Sequence, residues 1–212
     1  SARAVLAVAA LRGWTPKMRD AAQAYIQART DDTGRLRSWV RLPKAWWPSS
    51  WFGPKGEPLY HDPVCSLQKA LYGHPEAGAI WEKHFSTVMT ELGWEKIPSH
   101  ASVWFHKSTG AVLAVCVDDL LMAAPADSEA TLWKALEQRI DFDEDPTPVA
   151  KFLGAHHTFE KRGTTTYHSV QMRDFLQDAV RKYLEETGEK SLAPVRTLYL
   201  PENFFPKGEE QE

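Results

Sequence analysis

The sequence predicts an α+β fold, with an antiparallel sheet backed by helices. Segments with helical periodicity alternate with short apolar runs that are typical of strands. At the centre, two apolar runs flank the acidic pair Asp118 and Asp119, as the strands of a hairpin flank its turn. With 212 residues, of which 43% are hydrophobic, the chain can bury one sizeable core, or one core with a small appended subdomain.

Composition limits the class of protein. The net charge is -3, but residues 1–80 hold eleven Lys and Arg against six acids, and the rest holds fourteen against twenty-two. The basic part suits a polyanionic partner and equally suits an ordinary solvated surface. Cys65 and Cys116 have neither metal-site nor disulfide spacing, so we expect a reducing, intracellular setting. No stretch reaches the roughly 20 apolar residues of a membrane span, and we expect no membrane partner.

The first predicted elements are a helix and a strand. Residues 2–14 contain strong helix formers, and a glycine near their end is a suitable cap. The strand over residues 15–20 carries Asp20 at its end. Residues 29–63 are rich in Pro, Trp and Gly, and within them only residues 39–42 alternate like a strand, so most of this segment is expected to be loop.

A second helix is predicted over residues 76–92. Ile80, His84, Val88 and Leu92 recur at a spacing of four, which places them on one face of a helix. We therefore expect an amphipathic helix that backs the strands.

Two central strands are predicted over residues 102–107 and 111–117, with Ser-Thr-Gly turn chemistry between them. The second run leads directly into Asp118 and Asp119, and the sequence becomes apolar again from Leu120. Consecutive acids are unfavourable inside a strand, so both are expected in a tight hairpin turn. The apolar run before them indicates a buried strand that carries the acids to the floor of a cleft.

A helix over residues 129–140 follows, with Asp127 and Ser128 as candidate caps. An acidic loop separates it from a second hairpin over residues 151–170, which is expected to turn at Arg162-Gly163. The last predicted helix covers residues 171–186, and the tail beyond Pro194 is expected to be irregular.

Asp20, Asp118 and Asp119 are candidate metal ligands. Paired carboxylates at a half-buried hairpin tip repel each other unless cations compensate them, although a solvated turn is the simple alternative. Their hard oxygen atoms suit Mg²⁺, which takes few protein carboxylates beside substrate phosphates. Two such ions about 4 Å apart assist in-line phosphoryl transfer.

Four segments in order resemble the reverse transcriptases of copia-type LTR retrotransposons, and the resemblance covers the chain through about Pro201. They are residues 18–28, 67–84, 115–123 and 150–159. The matching residues are Asp20, Ala24 and Tyr25, then Leu71, Tyr72, Gly73 and Trp81, then Val117, Asp118 and Asp119, and finally Phe152, Leu153 and Gly154.

The resemblance implies a polymerase palm-like antiparallel sheet backed by helices, with a small C-terminal hairpin-plus-helix subdomain. The palm would occupy residues 1–148. The primer-grip hairpin and a thumb-like or connection-like helix would occupy residues 149–200, with a tail over residues 201–212.

The same resemblance implies an RNA-directed DNA polymerase that uses two Mg²⁺ ions, for which Mn²⁺ can substitute. Its partners would be an RNA or DNA template with its primer, and deoxynucleoside triphosphates. The catalytic residues would be Asp20, Asp118 and Asp119, which would hold the metals together with the Ala21 carbonyl. The protein would work in the cytoplasm, in a virus-like particle or in the nucleus.

Further roles follow from the matched positions. Tyr25 would be the steric gate against a ribose 2′-hydroxyl. Ala24, Gly73 and Glu76 would line the nucleotide pocket. The residues expected to contact the primer are Cys116, Val117, Phe152, Leu153 and Gly154.

The sequence departs from the family pattern at several positions. Cys116 stands where the family has an aromatic residue, Glu76 replaces a Gln, and Gly78 and Ala79 replace Pro and Arg. We also expect the family's fingers and RNase H segments to be supplied by other parts of a parent polyprotein.

Two alternative functions are also compatible with these residues. The chain could be a truncated, non-catalytic relic that at most binds nucleic acid. A two-metal nuclease would also need the three acids, but it would leave Tyr25 and residues 152–154 without a role.

Three other features receive simpler interpretations. Trp46, Trp47 and Trp51 lie near lysines and could stack on single-stranded bases, although tryptophans more often pack a loop onto the core. His156 and His157 are adjacent in a strand and should point to opposite faces, which disfavours a shared metal. We expect the acids of residues 141–145, and also His61 and Asp62, to be solvated.

Overall fold

The computed structural model describes residues 2–30, 38–100 and 102–192. The chain divides into two compact units, Ser1–Gln171 and Met172–Glu212. The predicted tail lies outside the described residues. No helix in the described ranges is long and apolar enough to cross a membrane.

A six-stranded antiparallel sheet forms the centre of the first unit, which confirms the predicted α+β class. In spatial order its strands are β4 (Trp94–Lys96), β5 (Val103–His106), β6 (Ala111–Cys116), β7 (Asp119–Ala123), β1 (Lys17–Asp20) and β8 (Thr147–Pro148). β6 and β7 form the predicted central hairpin. β1 comes from the start of the chain and adds to β7 by antiparallel pairing.

Both faces of this sheet are covered by other elements. Leu113, Leu120 and Met122 point to one face, where they share a core with α2 (Ala24–Gln27), α3 (Ala77–Glu91) and α4 (Glu129–Glu137). The alternate residues Val112, Leu121 and Ala123 point to the other face, where they pack with α1 (Ala2–Arg12) and Phe152. Burial on both faces explains why the central strands are continuously apolar rather than alternating.

The helices follow the predicted order with small differences. The buried residues of α3 include Trp81, Phe85 and Met89 beside Ile80 and Val88, so its apolar face is broader than the predicted stripe. α4 begins after Ser128 as predicted, but the Ser128 hydroxyl bonds to Pro125 and Asp127 and makes no cap hydrogen bond. Expecting a side-chain cap at Ser128 was therefore wrong.

A second sheet contains β9 (Lys151–Phe152), β10 (Ala155–Arg162) and β11 (Thr165–Gln171). β9 and β10 are joined through Leu153 and Gly154, both with positive φ, as in a type I′ turn. The next turn falls at residues 163–164, one residue later than predicted. A two-stranded ribbon of β2 (Trp39–Arg41) and β3 (Val64–Ser66) completes the strands of the first unit.

Helix α5 (Arg173–Thr187) is the described element of the second unit. It ends at Gly188, which adopts the left-handed conformation with φ +70° that favours glycine after a helix. Leu176, Val180 and Tyr183 lie along one face of this helix, and all three are exposed.

Candidate active site

Strand pairing brings two of the three predicted acids together. In the antiparallel pair β1 and β7, Asp20 lies directly opposite Asp119. Directly opposed side chains share a face, with their Cβ atoms about 5 Å apart. Two residues further along, Met18 lies opposite Leu121, which points to the α1 side. The carboxylates of Asp20 and Asp119 therefore point to that same side of the sheet.

Asp118 lies in the hairpin turn between β6 and β7. The loop contains only Val117 and Asp118, and Cys116 pairs with Asp119 across its base. The expectation that both acids occupy the turn was thus half correct, because Asp119 already belongs to β7. The Ala21 N–H donates to the Asp118 carbonyl at 2.8 Å, which ties the turn to the end of β1.

The acids act on one another electrostatically. Partial burial raises the pKa of Asp20 to about 6, with contributions from Asp118, Asp119 and Asp143. Burial and then the charge of Asp118 likewise raise the pKa of Asp119. Like charges held close together disfavour ionisation, and a cation placed among them would relieve this.

The chemistry of these donors fits a hard divalent cation, because all are carboxylate oxygens. Mg²⁺ retains several waters and needs only one or two carboxylates from the protein. In the part of the chain that is described, no group of three or more His, Cys, Asp or Glu side chains forms a ready metal cluster. The acids around Asp20 are therefore neighbouring negative charges, and they do not form a closed set of metal ligands.

Sequence reasoning missed Asp143, which it placed on the solvated surface. The residue is exposed, but its carboxyl group lies close enough to that of Asp20 to help raise the Asp20 pKa, and its backbone N–H donates to the Asp20 carbonyl at 3.2 Å. Its only signal in the sequence was an acidic loop, which by itself indicates solvation. The contact depends on how residues 141–145 are anchored.

Two polar side chains anchor that loop. The Gln27 amide donates to the carbonyls of Ala22 and Asp141, and its own oxygen accepts from the Asp141 N–H. Arg19 is only 6% exposed; it donates to the Glu144 carbonyl and lies over the Phe142 ring at 4.3 Å. It also pairs with Glu137 of α4 at 2.8 Å.

The predicted nucleotide-pocket residues lie on α2 and in the segment that leads into α3. Tyr25 is on α2, and its ring centroid is 4.8 Å from that of Tyr72. Burial raises the pKa of Tyr72, and Asp118, Tyr25 and Asp20 raise it further, so the Tyr72 ring is near the carboxylates. Gly73 has a φ of +87°, a backbone conformation that glycine adopts without strain.

Ala24 and Glu76, the other two residues predicted to line the nucleotide pocket, contact other parts of the protein. Ala24 is fully buried in the core beneath α2. Glu76 is the residue before α3, and its backbone N–H donates to His74 Nδ1 at 3.1 Å.

The predicted primer-contact residues occupy two places. Cys116 ends β6 and is exposed, and Val117 follows in the turn. Phe152 is buried with α1 and Leu121, on the side of the sheet to which Asp20 and Asp119 point. Leu153 and Gly154 form the turn that follows Phe152, and Leu153 is 53% exposed.

A pocket of about 250 Å³ opens beside the hairpin turn at Val117 and Asp118. Its walls include Tyr25, Trp81, Trp104, Cys116 and Gly78. Two positions at which the chain departs from the family pattern with smaller side chains, 78 and 116, therefore line the same space.

The loop tryptophans and the adjacent histidines, which were the other candidates from the sequence, lie in different environments. Trp47 and Trp51 pack against each other with ring centroids 5.6 Å apart, which supports loop packing, whereas Trp46 is 74% exposed. His157 Nδ1 lies 3.0 Å from Nε2 of His168. His157 therefore pairs across the strands with His168.

Comparison with known proteins gives an independent result. The sequence matches the family described as reverse transcriptase (RNA-dependent DNA polymerase) over residues 1–195. It is 29% identical over 206 residues to the retrovirus-related Pol polyprotein from transposon RE1 of Arabidopsis thaliana, covering 95% of this chain and 12% of the polyprotein. It is 28% identical over 120 residues to a protein assigned to transposon Ty5-1 of Saccharomyces cerevisiae, covering 56% of this chain and 38% of that protein. The chain spans well under half the length of both relatives.

Proposed function

This chain belongs to the reverse transcriptase (RNA-dependent DNA polymerase) family, and from that premise we propose that it carries the nucleotidyl-transfer site of a retrotransposon polymerase. The reaction extends a primer on an RNA or DNA template with deoxynucleoside triphosphates. The observation that carries this proposal is the register that sets Asp20 opposite Asp119, with Asp118 in the adjoining turn.

Asp20, Asp118 and Asp119 would hold two divalent cations, Mg²⁺ or its substitute Mn²⁺, with the Ala21 carbonyl as a further ligand. When bound, such ions activate the primer 3′-hydroxyl and neutralise charge on the triphosphate. The protein's contribution is to fix the carboxylates. β1 and β7 hold Asp20 and Asp119 on one face, and the Ala21 N–H holds the turn that carries Asp118.

Tyr25 is proposed as the gate that excludes ribonucleotides. Its contact with Tyr72 limits the positions that its ring can take, and the Tyr72 ring lies near the acids. A rigid ring beneath the sugar leaves no space for a 2′-hydroxyl. Ala24, Gly73 and Glu76 are proposed to line the same nucleotide pocket.

The primer end is proposed to lie on the α1 side of the sheet. Phe152 packs on that side, and the turn at Leu153 and Gly154 directly follows it. Cys116 and Val117 are proposed to contact the primer from the catalytic hairpin. On this basis we divide the chain functionally into a palm over residues 1–148, a primer-grip and helix segment over residues 149–200, and a tail over residues 201–212.

The reaction also requires a template strand and the other segments of a polymerase. Trp46 is exposed and lies on the short 3₁₀ helix that begins at Lys44, so it offers an aromatic ring and a nearby cation to a single-stranded template. Fingers and RNase H segments would come from the rest of a polyprotein like that of transposon RE1. Because the proposed substrates are nucleotides and a template, the reaction is proposed to take place inside the cell, in the cytoplasm, in a virus-like particle or in the nucleus.

Primer extension tests the proposal. The chain, joined to the flanking polymerase segments of a related polyprotein, is compared with Asp118→Asn and with the matched control Asp127→Asn, which lies outside the site. We expect Asp118→Asn to lower Mg²⁺-dependent extension by roughly a hundredfold or more, because one of the carboxylates that would hold the metal ions is lost. The Asp127→Asn variant should extend normally.

Two other results of this experiment would count against the proposal in different ways. Equal extension by Asp118→Asn and the parent chain would refute the site assignment. Template-primer binding with no extension by the parent would instead favour the non-catalytic relic.

A further inference from the structure

The catalytic hairpin turn has an unfavourable residue at its first position. Val117 has a φ of +59°, in the left-handed region that β-branched residues avoid. Asp118 is not among the residues with positive φ. A two-residue loop with positive φ only at its first residue corresponds to a type II′ turn, in which glycine normally occupies that position.

The peptide between Val117 and Asp118 determines the type of turn. Types II′ and I′ differ by a rotation of this central peptide, which changes the sign of φ at the second loop residue. The second residue is Asp118, so the rotation would redirect its carboxylate. A valine has no preference of its own for type II′, and the observed orientation therefore needs an external contact.

Trp81 supplies that contact. Its indole Nε1–H donates to the Val117 carbonyl at 2.7 Å, and this carbonyl belongs to the central peptide. The indole is itself held in the core, because Trp81 is 3% exposed and its ring centroid lies 5.8 Å from that of Phe85. A rotation of the peptide would break this part-buried hydrogen bond and leave the indole N–H of the buried Trp81 without its partner.

The next carbonyl of the turn is held from the other side. The Asp118 carbonyl accepts from the Ala21 N–H at 2.8 Å, and Ala21 directly follows Asp20. Two successive carbonyls are thus fixed by donors from α3 and from the end of β1. The position of Asp118 relative to Asp20 depends on both.

We propose that Trp81 is a positioning residue for the catalytic turn, whose indole N–H holds the central peptide in the orientation that directs Asp118 toward the other acids. Trp81 acts through the Val117 carbonyl rather than on substrate. The catalytic consequence rests on the proposed function, whereas the structural consequence does not.

The chain offers a matched control for the test. Trp104 is as buried as Trp81, at 3% exposure, and lines the same pocket, but its indole nitrogen has no hydrogen-bond partner in the described structure. Trp81→Phe and Trp104→Phe therefore remove the same atoms from the same core. Only the first removes a donor to the turn.

The first readout is independent of activity and uses NMR on the chain as it stands. In Trp81→Phe we expect the coupling constant that reports φ of Asp118 to change, and the Ala21 amide to exchange about tenfold faster, as expected for a weakened hydrogen-bonded turn. Trp104→Phe should leave both unchanged. Equal effects in both variants, or none in Trp81→Phe, would overturn the proposal.

A rescue variant separates positioning from simple loss of packing. Val117→Gly removes the cost of a type II′ turn, so it should restore the parent φ of Asp118 when added to Trp81→Phe. A role limited to filling the core would not be rescued by a change in the turn.

The second readout is primer extension by the polymerase that includes the flanking segments. Trp81→Phe should lower the maximal rate by about tenfold or more, and Val117→Gly should recover part of it. If the parent chain fails to extend while the NMR changes appear as expected, the proposed function fails and the positioning role of Trp81 stands.

Discussion

Single residues at this site are held in states that cost stability. Asp20 and Asp119 face each other in an antiparallel pair. Two side chains of opposite charge, or two apolar side chains, would be more favourable at these positions. Val117 adopts a left-handed conformation at the adjoining turn. Unfavourable residues of this kind persist where the surrounding structure determines their geometry, and they commonly mark functional sites.

The raised pKa of Asp20 predicts how stability depends on pH. Folding raises this pKa from 3.8 to about 6, so the folded protein binds the proton more tightly than the unfolded chain does. The contribution of Asp20 to stability should therefore fall as pH rises from about 3.8 through about 6. Because Asp20 is partly exposed, solvent screening keeps the effect modest.

Urea unfolding of the parent chain and of Asp20→Asn across this pH window measures the effect. The parent should lose stability relative to Asp20→Asn as the carboxylate ionises. Millimolar Mg²⁺ should recover stability at neutral pH in the parent more than in the variant. A parent that instead gained stability relative to Asp20→Asn between these pH values would contradict the assigned direction.

At the scale of elements, the end of β1 is a junction between three parts of the chain. Arg19, whose side chain is only 5% exposed, links β1 to Glu137 of α4 and to the loop that contains Phe142 and Glu144. The same loop brings Asp143 against Asp20. A loop that is distant in sequence from the β6–β7 hairpin thus contributes a fourth acid to the candidate site.

Arg19→Ala should therefore destabilise the fold by about 2 to 3 kcal/mol, because it removes charge-assisted hydrogen bonds and a contact with an aromatic ring. Arg41→Ala is the control, since its ion pair with Asp62 at 2.8 Å joins two exposed side chains. We expect that change to stay within about 0.5 kcal/mol. Denaturant unfolding compares the two variants, and equal losses would show that Arg19 is not a structural anchor.

At the scale of the whole molecule, the site lies at the end of the best buried strands of the first unit. The sheet buries residues on both faces, and Leu113, Leu120 and Leu121 are fully buried. A rigid sheet of this kind can keep acids from distant segments at fixed separations. The second unit contains α5, which has no buried residue.

Hydrogen exchange should show this contrast directly. We expect amides of β6 and β7 to exchange only in global unfolding, and amides of α5 to exchange orders of magnitude faster, since little apolar burial opposes local opening. Amide-resolved exchange of the chain alone measures both. Equal protection of α5 and β6 would show that α5 is stabilised by burial of its apolar face.

Much of the fold could be predicted from local patterns. The extents of α1 and α3 and the strands β5 to β7 all depend on periodicity or on turn chemistry within a few residues. The short strands β4 and β8 could not be predicted, because two or three residues hold no period and form a strand only when a neighbouring strand pairs with them.

The sequence by itself predicted a strand that ends at Asp20 and a hairpin at Asp118 and Asp119, and its four motifs resemble those of reverse transcriptases. Only the tertiary structure decided that Asp20 lies opposite Asp119, that Asp143 joins them, and that Trp81 bonds to the turn. The physical reason is the sequence separation between the residues that interact. Helices and turns depend on neighbours in sequence, whereas register and buried hydrogen bonds depend on which distant segments pack together.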